Sequence, residues 1–183
     1  MKLRWQTVGS RIIVSDRWAH LRADQCVTPN GAPLEPYYVL EYPDWVSVQA
    51  TDEDGKAILV REYRHGASCV GLGLVGGGIQ PSDASPTEAA IRELVEETGY
   101  QADDIVALGS AYANWGNQNN RVHYFLARGC QLTSKVSFDP AEQCELVIED
   151  VSKLFEPGFF LQSFHLANAF LARENIEAYE LHS

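Results

Sequence analysis

The sequence predicts an α/β (α+β) fold, and three observations support this prediction. Residues 1 to about 65 are rich in β-branched and aromatic residues separated by turn sequences, a composition typical of strands. Residues 86–98 carry helix-start and helix-stop signals, and residues 160–174 have helical periodicity. Two further strand-like stretches, 105–112 and 121–127, lie between these helices.

The composition limits the classes of function. The chain has 183 residues, 45% of them hydrophobic, and a formal net charge of −11. That charge argues against a nucleic acid partner, whose phosphates need a basic surface, but a divalent cation can bridge acidic side chains to a small phosphorylated substrate. No run of 18 apolar residues and no signal peptide is recognisable, so we expect a cytoplasmic protein without a membrane partner.

The cysteines predict neither a zinc site nor a redox pair. None of the four is spaced as Cys-x-x-Cys, so buried free thiols are expected at Cys26, Cys69, Cys130 and Cys144.

The first elements along the chain are predicted strands joined by turns. TPNGAP supplies one turn and DEDG another, placed like a hairpin turn. The strand-like stretches around them are RIIVSDRWAHLRADQCV, YYVLEY, WVSVQAT and KAILVREYR. A glycine-rich stretch, GLGLVGGGIQPSD, separates them from the first helix.

The helix over residues 86–98 is well specified at both ends. Ser85 with Glu88 forms a capping box, Pro86 occupies the first helical position, and Gly99 lies where a C-terminal glycine cap belongs. Glu88 is spaced for an ion pair with Arg92. Helical spacing predicts a buried stripe of Ile91, Leu94, Val95 and Thr98.

Three glutamates, Glu93, Glu96 and Glu97, are predicted to flank that stripe. Like charges at helical spacing destabilise an isolated helix by about 0.2–0.5 kcal/mol per pair. A solvated acidic face is the commonest reason for such a group. The alternative is a site for Mg²⁺ or Mn²⁺, which prefer carboxylate oxygens, beside the close backbone approach that the glycines at 76–78 permit. The residues alone leave both interpretations open.

The stretch from Gly77 to Tyr100 resembles the Nudix box. Its second half is complete as Arg-Glu-Leu-Val-Glu-Glu-Thr-Gly-Tyr from Arg92 onward. The resemblance implies an enzyme that hydrolyses a nucleoside diphosphate linked to another group with the help of a divalent cation, Mg²⁺ or Mn²⁺. It implies metal ligands at Glu93, Glu96, Glu97 and the backbone of Gly77. Glu97 is also expected to be catalytic, and Arg92 to orient a glutamate.

Two stretches depart from the family pattern. Asp83 stands where the family has glutamate, and eight residues instead of seven separate it from Arg92. Asp83 is therefore either a ligand or a turn residue before the helix. The stretch LGLVGGG resembles the Leu-Glu-Leu-Pro-Ala-Gly of ADP-ribose-type members, with Gly73 in place of the glutamate and Val75 in place of the proline. These changes leave room for weak or altered activity.

Residues 44–155 resemble the ADP-ribose and nucleotide-sugar pyrophosphatases. This resemblance implies an α/β/α sandwich with a mixed sheet in residues 44–183, preceded by a small antiparallel β-region in residues 1–43. In that branch the N-terminal region exchanges with a second subunit, so we expect a homodimer. The expected reaction is hydrolysis of a nucleoside diphosphate sugar, ADP-ribose first, to two monophosphates.

Candidate substrate-binding residues lie outside the box. Arg61 and Arg64 point to alternate sides of a predicted strand, and each could meet phosphate or form a salt bridge at the rim. Trp18, Trp45 and Trp115 could stack on a base or pack in the protein. Trp115 is the least core-like because its loop, ANWGNQNN, is polar.

The resemblance also implies a catalytic base in the acidic loop FDPAEQCE. Glu142 aligns best with the loop glutamate of ADP-ribose-type relatives, while Glu145 is expected to begin the next strand. Two alternatives to the favoured function remain. One is another diphosphate substrate, such as a nucleoside triphosphate or dinucleoside polyphosphate, and the other is a nucleotide-sensing module without turnover.

Overall fold

The computed structural model describes residues 3–134 and 144–180. Contacts between residues divide the chain into two units, one of residues 1–43 with 112–121 and one of residues 44–111 with 122–183. No helix within the described ranges is long and apolar enough to cross a membrane.

The first unit contains a three-stranded antiparallel sheet. Its strands are β1 (Gln6–Ser15), β2 (His20–Val27) and β3 (Pro33–Glu41), in the spatial order β1-β2-β3. The segment 112–121 is hydrogen-bonded to β3, because the backbone N–H of Leu40 donates to the carbonyl of Asn117 at 2.8 Å. The loop that carries Trp115 is therefore held by the N-terminal sheet.

The second unit is built on a seven-stranded mixed sheet. Its strands are β4 (Trp45–Asp52), β5 (Lys56–Arg64), β6 (Cys69–Gly73), β7 (Tyr100–Gln101), β8 (Asp104–Tyr112), β9 (Arg121–Leu132) and β10 (Cys144–Asp150). The order is β10-β5-β4-β9-β7, with β6 paired to β5 and β8 to β9. β4 and β9 run parallel, whereas β4 and β5 are antiparallel.

Two helices cover the two faces of this sheet. The first is α1 (Pro86–Thr98), and the second is α2 (Ser163–Glu180), with short 3-10 turns at His65–Ala67 and Val151–Phe155. Alternate side chains of a strand point to opposite faces. On β5, Ile58 packs in one core cluster with Leu94 of α1, and Leu59 packs in another with Ala169 of α2. The helix–sheet–helix layering is that of the predicted α/β/α sandwich.

Helix α1 agrees with the prediction at its ends but not in its buried stripe. Ser85 accepts a hydrogen bond from the Glu88 N–H at 3.2 Å, and Gly99 adopts a left-handed φ of 74°. The expectation that Ile91 would be buried is wrong, since its side chain is 42% exposed. The buried residues of α1 are Ala89, Ala90, Glu93, Leu94 and Thr98. A carboxylate therefore lies within the buried face of the helix instead of flanking it.

Candidate active site

The glycine stretch before α1 is held against β4 by backbone hydrogen bonds. The N–H of Val46 donates to the carbonyl of Gly77 at 2.9 Å, and the N–H of Val48 donates to that of Val75 at 2.8 Å. A Cβ on Gly76 would lie 2.3 Å from the carbonyl oxygen of Val46. Because that contact is shorter than any side chain tolerates, glycine is required for this close pairing.

Gly77 lies directly against the carboxylate of Glu93. A Cβ at position 77 would come within 2.3 Å of Glu93 Oε1 and 2.7 Å of Oε2. Glu93 is 9% exposed, and burial is the main cause that raises the pKa of its carboxyl above the usual range. The missing side chain of Gly77 is thus what allows an ionisable group from α1 to approach the backbone.

Arg92, in the middle of α1, is hydrogen-bonded to three acidic residues. Its Nε and Nη2 donate to the two carboxylate oxygens of Asp83, each at 3.0 Å, and its Nη1 donates to Glu93 and Glu96, each at 2.9 Å. Nη2 also donates to the carbonyl of Gly78 at 3.1 Å. The predicted pairing of Arg92 with Glu88 is absent from these contacts. A planar guanidinium with several donors is suited to hold carboxylates in a fixed geometry.

Asp83 acts as the main anchor of this guanidinium. Besides Arg92, it accepts a hydrogen bond from the backbone N–H of Gln80 at 2.8 Å, which closes a turn before the helix. The hydrogen bond with Arg92, followed by that with Gln80, lowers the pKa of the Asp83 carboxyl. In these contacts Asp83 supports Arg92 within the turn.

Glu97 is a second carboxylate of α1 whose pKa is raised. Its Oε2 accepts a hydrogen bond from the N–H of Gly76 at 3.1 Å. Burial, with the negative charges of Glu93 and Glu62, raises the pKa of Glu97 to about 8, although the bond from Gly76 and the charge of Arg64 act in the opposite direction. A divalent cation would favour the ionised form of this group, since an opposite charge nearby stabilises a carboxylate.

The described carboxylates do not converge on one enclosed point. Within residues 3–134 and 144–180, no three histidine, cysteine, aspartate or glutamate side chains converge closely enough to enclose a metal ion. Glu96 is largely exposed and bonded to Arg92. Glu93 is buried and Glu97 is half-buried, and the negative charges of these two carboxylates repel each other. Two carboxylates of raised pKa next to glycine backbone, one buried and one half-buried, fit a hard divalent cation in chemistry.

The two candidate arginines of β5 are both engaged in ion pairs. Arg61 Nη1 lies 3.0 Å from Glu145 of β10, its cross-strand neighbour, and Arg64 pairs with Glu62. Glu62 was missed in the sequence, although strand alternation offers a signal for it. It follows Ile58 and Val60, which face α1, at two-residue spacing.

A second residue that the sequence did not reveal is His165 of α2. A Cβ on Gly73 would lie 2.9 Å from His165 Nε2, so the imidazole occupies the space that a side chain at position 73 would need. The ring is 7% exposed, and burial, assisted by the positive charge of Arg64, lowers its pKa to about 3. His165 is therefore a neutral group in the physiological range. Gly73 and His165 come from distant parts of the chain, which is why no local pattern links them.

This contact predicts that positions 73 and 165 are energetically coupled. Gly73→Ala should destabilise the protein by about 1–3 kcal/mol, the range for overpacking a buried site. In a His165→Ala background the same substitution should cost clearly less, because the obstructing ring is absent. Urea unfolding of the four proteins of the cycle measures the coupling. Additive effects would show that the ring does not restrict position 73.

The remaining candidates are placed as follows. In the first unit, Trp115 is 87% exposed and Trp18 is 74% exposed. In the second unit, Trp45 packs against Phe164 with ring centroids 6.2 Å apart. Glu142 lies outside the described residues.

Two family models match the chain. The NUDIX domain matches residues 41–163, and the nucleoside diphosphate sugar hydrolase N-terminal domain matches residues 5–40. The first match covers more than half of the chain, so the chain belongs to the NUDIX family. The predictions of a Nudix fold and of a pyrophosphohydrolase are confirmed at the level of fold and enzyme class.

Individual relatives agree with this assignment. The chain is 29% identical over 158 residues to an ADP-ribose pyrophosphatase of Bacillus subtilis (strain 168), covering 84% of each protein. It is 27% identical over 124 residues to a methanol dehydrogenase activator of Bacillus methanolicus, covering 68% of this chain and 66% of that protein. The crystal structure of an ADP compounds hydrolase matches with a TM-score of 0.83 at 24% identity, covering 96% of each chain.

Proposed function

We propose that this protein hydrolyses the diphosphate linkage of nucleoside diphosphate sugars, with ADP-ribose as the preferred substrate and two monophosphates as products. The observation that carries the proposal is a pair of carboxylates, the buried Glu93 and the half-buried Glu97, held against the glycine backbone at 76–77. The similarity to the Bacillus subtilis ADP-ribose pyrophosphatase supports the choice of substrate.

We propose that Glu93, Glu96 and Glu97, with the backbone of Gly77, hold Mg²⁺ or Mn²⁺. When bound, the cation would neutralise charge on the diphosphate and favour deprotonation of the attacking water. Glu93 and Glu97 are supported by their burial and raised pKa values. Glu96 would have to leave Arg92 to join them, which its exposure permits.

Arg92 is proposed as the group that orients these ligands. Its guanidinium is bonded to Asp83 on one side and to Glu93 and Glu96 on the other, so it fixes carboxylates without needing to touch substrate. Removing a group that orients a metal ligand typically lowers metal affinity or activity by about 10–100-fold.

Arg64, Arg61 and Trp115 are proposed to bind substrate. Arg64 is the better phosphate candidate of the two arginines, because its charge acts on Glu97 and it therefore lies near the carboxylates. Arg61 would first have to release Glu145. The exposed indole of Trp115 offers a flat apolar surface for a base, and stacking of this kind is worth about 1–3 kcal/mol.

A substrate panel tests the proposed function. The full chain is incubated with ADP-ribose, other nucleoside diphosphate sugars, nucleoside triphosphates and dinucleoside polyphosphates, with Mg²⁺ or Mn²⁺, and phosphatase-coupled phosphate release is followed. We expect the highest kcat/KM for ADP-ribose. Preferred turnover of a triphosphate or dinucleoside polyphosphate would show that this class of compound, and not nucleoside diphosphate sugars, is the substrate. Binding without turnover would indicate a sensing module.

The N-terminal β-region, residues 1–43, is proposed to exchange between two copies of the chain. Its own family model and its separation as a contact unit support a distinct region. Several apolar side chains of β1 are exposed within the first unit, and a second copy would cover them: Val8, Ile12, Ile13 and Val14.

The full chain should therefore be a homodimer. Multi-angle light scattering should give about twice the 20.3 kDa mass of one chain. Ile12→Lys should shift the mass toward the monomer by placing a charge on the proposed interface, whereas Thr7→Lys at an already polar position serves as the control. A monomeric mass for the unmodified chain at micromolar concentration would refute the exchange.

A further inference from the structure

The two faces of β4 differ in chemistry. Val46, Val48 and Ala50 lie in the apolar cluster on the α1 side. The alternate residues Ser47, Gln49 and Thr51 point to the other face, and all three are buried polar side chains. The central strand of the sheet thus presents a polar surface to the interior on the side of α2.

Helix α2 meets this surface with residues of matching chemistry. His165, Asn168, Ala169 and Ala172 are buried and follow helical i, i+3, i+4, i+7 spacing. The Nδ2 of Asn168 donates to the backbone carbonyl of Ser47 at 2.7 Å and is 3.0 Å from its hydroxyl oxygen. One fully buried amide therefore fastens the helix to the strand.

Four polar atoms at this interface have no hydrogen-bond partner among the described residues. They are Oε1 and Nε2 of Gln49, Oδ1 of Asn168 and Nδ1 of His165. Gln49 and Asn168 are 0% exposed, so bulk water does not reach them. Buried polar groups in folded proteins are nearly always hydrogen-bonded, and a carboxamide with both its donor and its acceptor unpaired is strongly unfavourable.

These atoms belong to one small region. Gln49 follows Ser47 by two residues on the same face of β4, a separation of about 7 Å. His165 lies one helical turn before Asn168, so their side chains are neighbours on α2. The adjacent buried residues of the helix, Ala169 and Ala172, have small side chains.

We propose that this region is an internal hydration site, in which ordered water molecules bridge Gln49 of β4 to Asn168 and His165 of α2. The ligand must both donate and accept hydrogen bonds, because Gln49 Nε2 is a donor and Asn168 Oδ1 is an acceptor. A neutral molecule fits there, since neither carboxamide carries a charge. Water meets both conditions, and buried waters usually make about three hydrogen bonds to groups of this kind.

The hydration site supports the strand that carries the glycine stretch. Ser47, to which Asn168 is bonded, lies between Val46 and Val48, whose N–H groups hold Gly77 and Val75. Residues 46–48 of β4 therefore contact the glycine stretch of the candidate active site and also, through Asn168, helix α2. The proposal itself does not depend on the substrate or on the bound cation.

A high-resolution crystal structure of the full chain tests the proposal directly. We expect ordered water at hydrogen-bond distance, about 2.7–3.2 Å, from the Gln49 carboxamide and from Asn168 Oδ1. A direct hydrogen bond between Gln49 and another protein group, without water at the interface, would overturn the proposal. So would a bound ion or organic molecule in that place.

A substitution provides an independent test in solution. Gln49→Met has nearly the same shape but cannot bond water, so it should lower the urea midpoint if bridging waters are present. If the carboxamide is truly unpaired, removing it should leave the midpoint unchanged or raise it, and the proposal fails. Gln101→Met, at an exposed position of β7, is the matched control and should leave the midpoint unchanged.

Discussion

Glu97→Gln is expected to lower divalent-dependent turnover by more than about 10²-fold. Removing a residue that only supports a metal ligand already lowers activity by about 10–100-fold, and the loss of a ligand should cost more. Glutamine keeps the size of the side chain and can still accept the hydrogen bond that the Gly76 N–H gives to Glu97. It cannot supply the negative charge that a cation requires. The caps of α1 at Ser85 and Gly99 are untouched, so the fold should remain intact.

The acidity of Glu97 makes this prediction specific. Since its pKa is raised to about 8, a cation must displace a proton from it at neutral pH, and cation affinity should rise with pH up to that value. The pH dependence due to this group should disappear in Glu97→Gln. Without metal, the stability linked to the protonated carboxyl is lost as pH rises through about 8, so above that pH the variant should be the more stable protein.

Steady-state kinetics at several cation concentrations and urea unfolding measure these effects. Glu88→Gln is the matched control, because Glu88 lies on the same helix and its carboxylate accepts a hydrogen bond from the backbone N–H of Ala84, ahead of the helix. It should retain near-normal turnover. Near-normal activity of Glu97→Gln at the same cation concentration would remove Glu97 from the proposed ligand set.

The features that the sequence predicted well are those fixed by local interactions. The capping box at Ser85 and the glycine at the end of α1 act within one turn of the helix, and both are observed. The burial of Glu93 was not predicted, because it depends on Gly77, a residue of the preceding loop. Periodicity favoured Ile91 for the interior, yet Ile91 is exposed and Glu93 faces inward against the backbone of Gly77.

Residues joined only by the tertiary fold were harder to find. Glu62 acts on Glu97 across the gap between β5 and α1, and the relevant charge interaction has no spacing rule in the sequence. Gly73 was recognised as a departure from the family pattern, but not the imidazole of His165 that requires it. In both cases the sequence shows each residue, but it does not show which residue lies next to it in the fold.

Glu142→Gln is expected to lower kcat by about 10²–10⁴-fold with little change in KM, since a general base acts in the transition state. The attacking water needs a proton acceptor, and the glutamates of α1 are poor candidates if a cation occupies their lone pairs. The acidic loop FDPAEQCE supplies the alternatives Glu142 and Glu145. Glu142 lies outside the described residues, so its assignment stays a prediction from family resemblance.

Glu145 gives that prediction its control. It lies in β10 opposite Arg61, and its Oε2 is 3.0 Å from the Arg61 guanidinium in an exposed ion pair. Its paired oxygen is engaged by the guanidinium and would have to leave that pair to meet an attacking water. Glu145→Gln should therefore change turnover little under saturating Mg²⁺, while Glu142→Gln abolishes most of it. If only Glu145→Gln loses turnover, the base is Glu145 and its pair with Arg61 must open during catalysis; if neither does, the proton acceptor lies outside this loop.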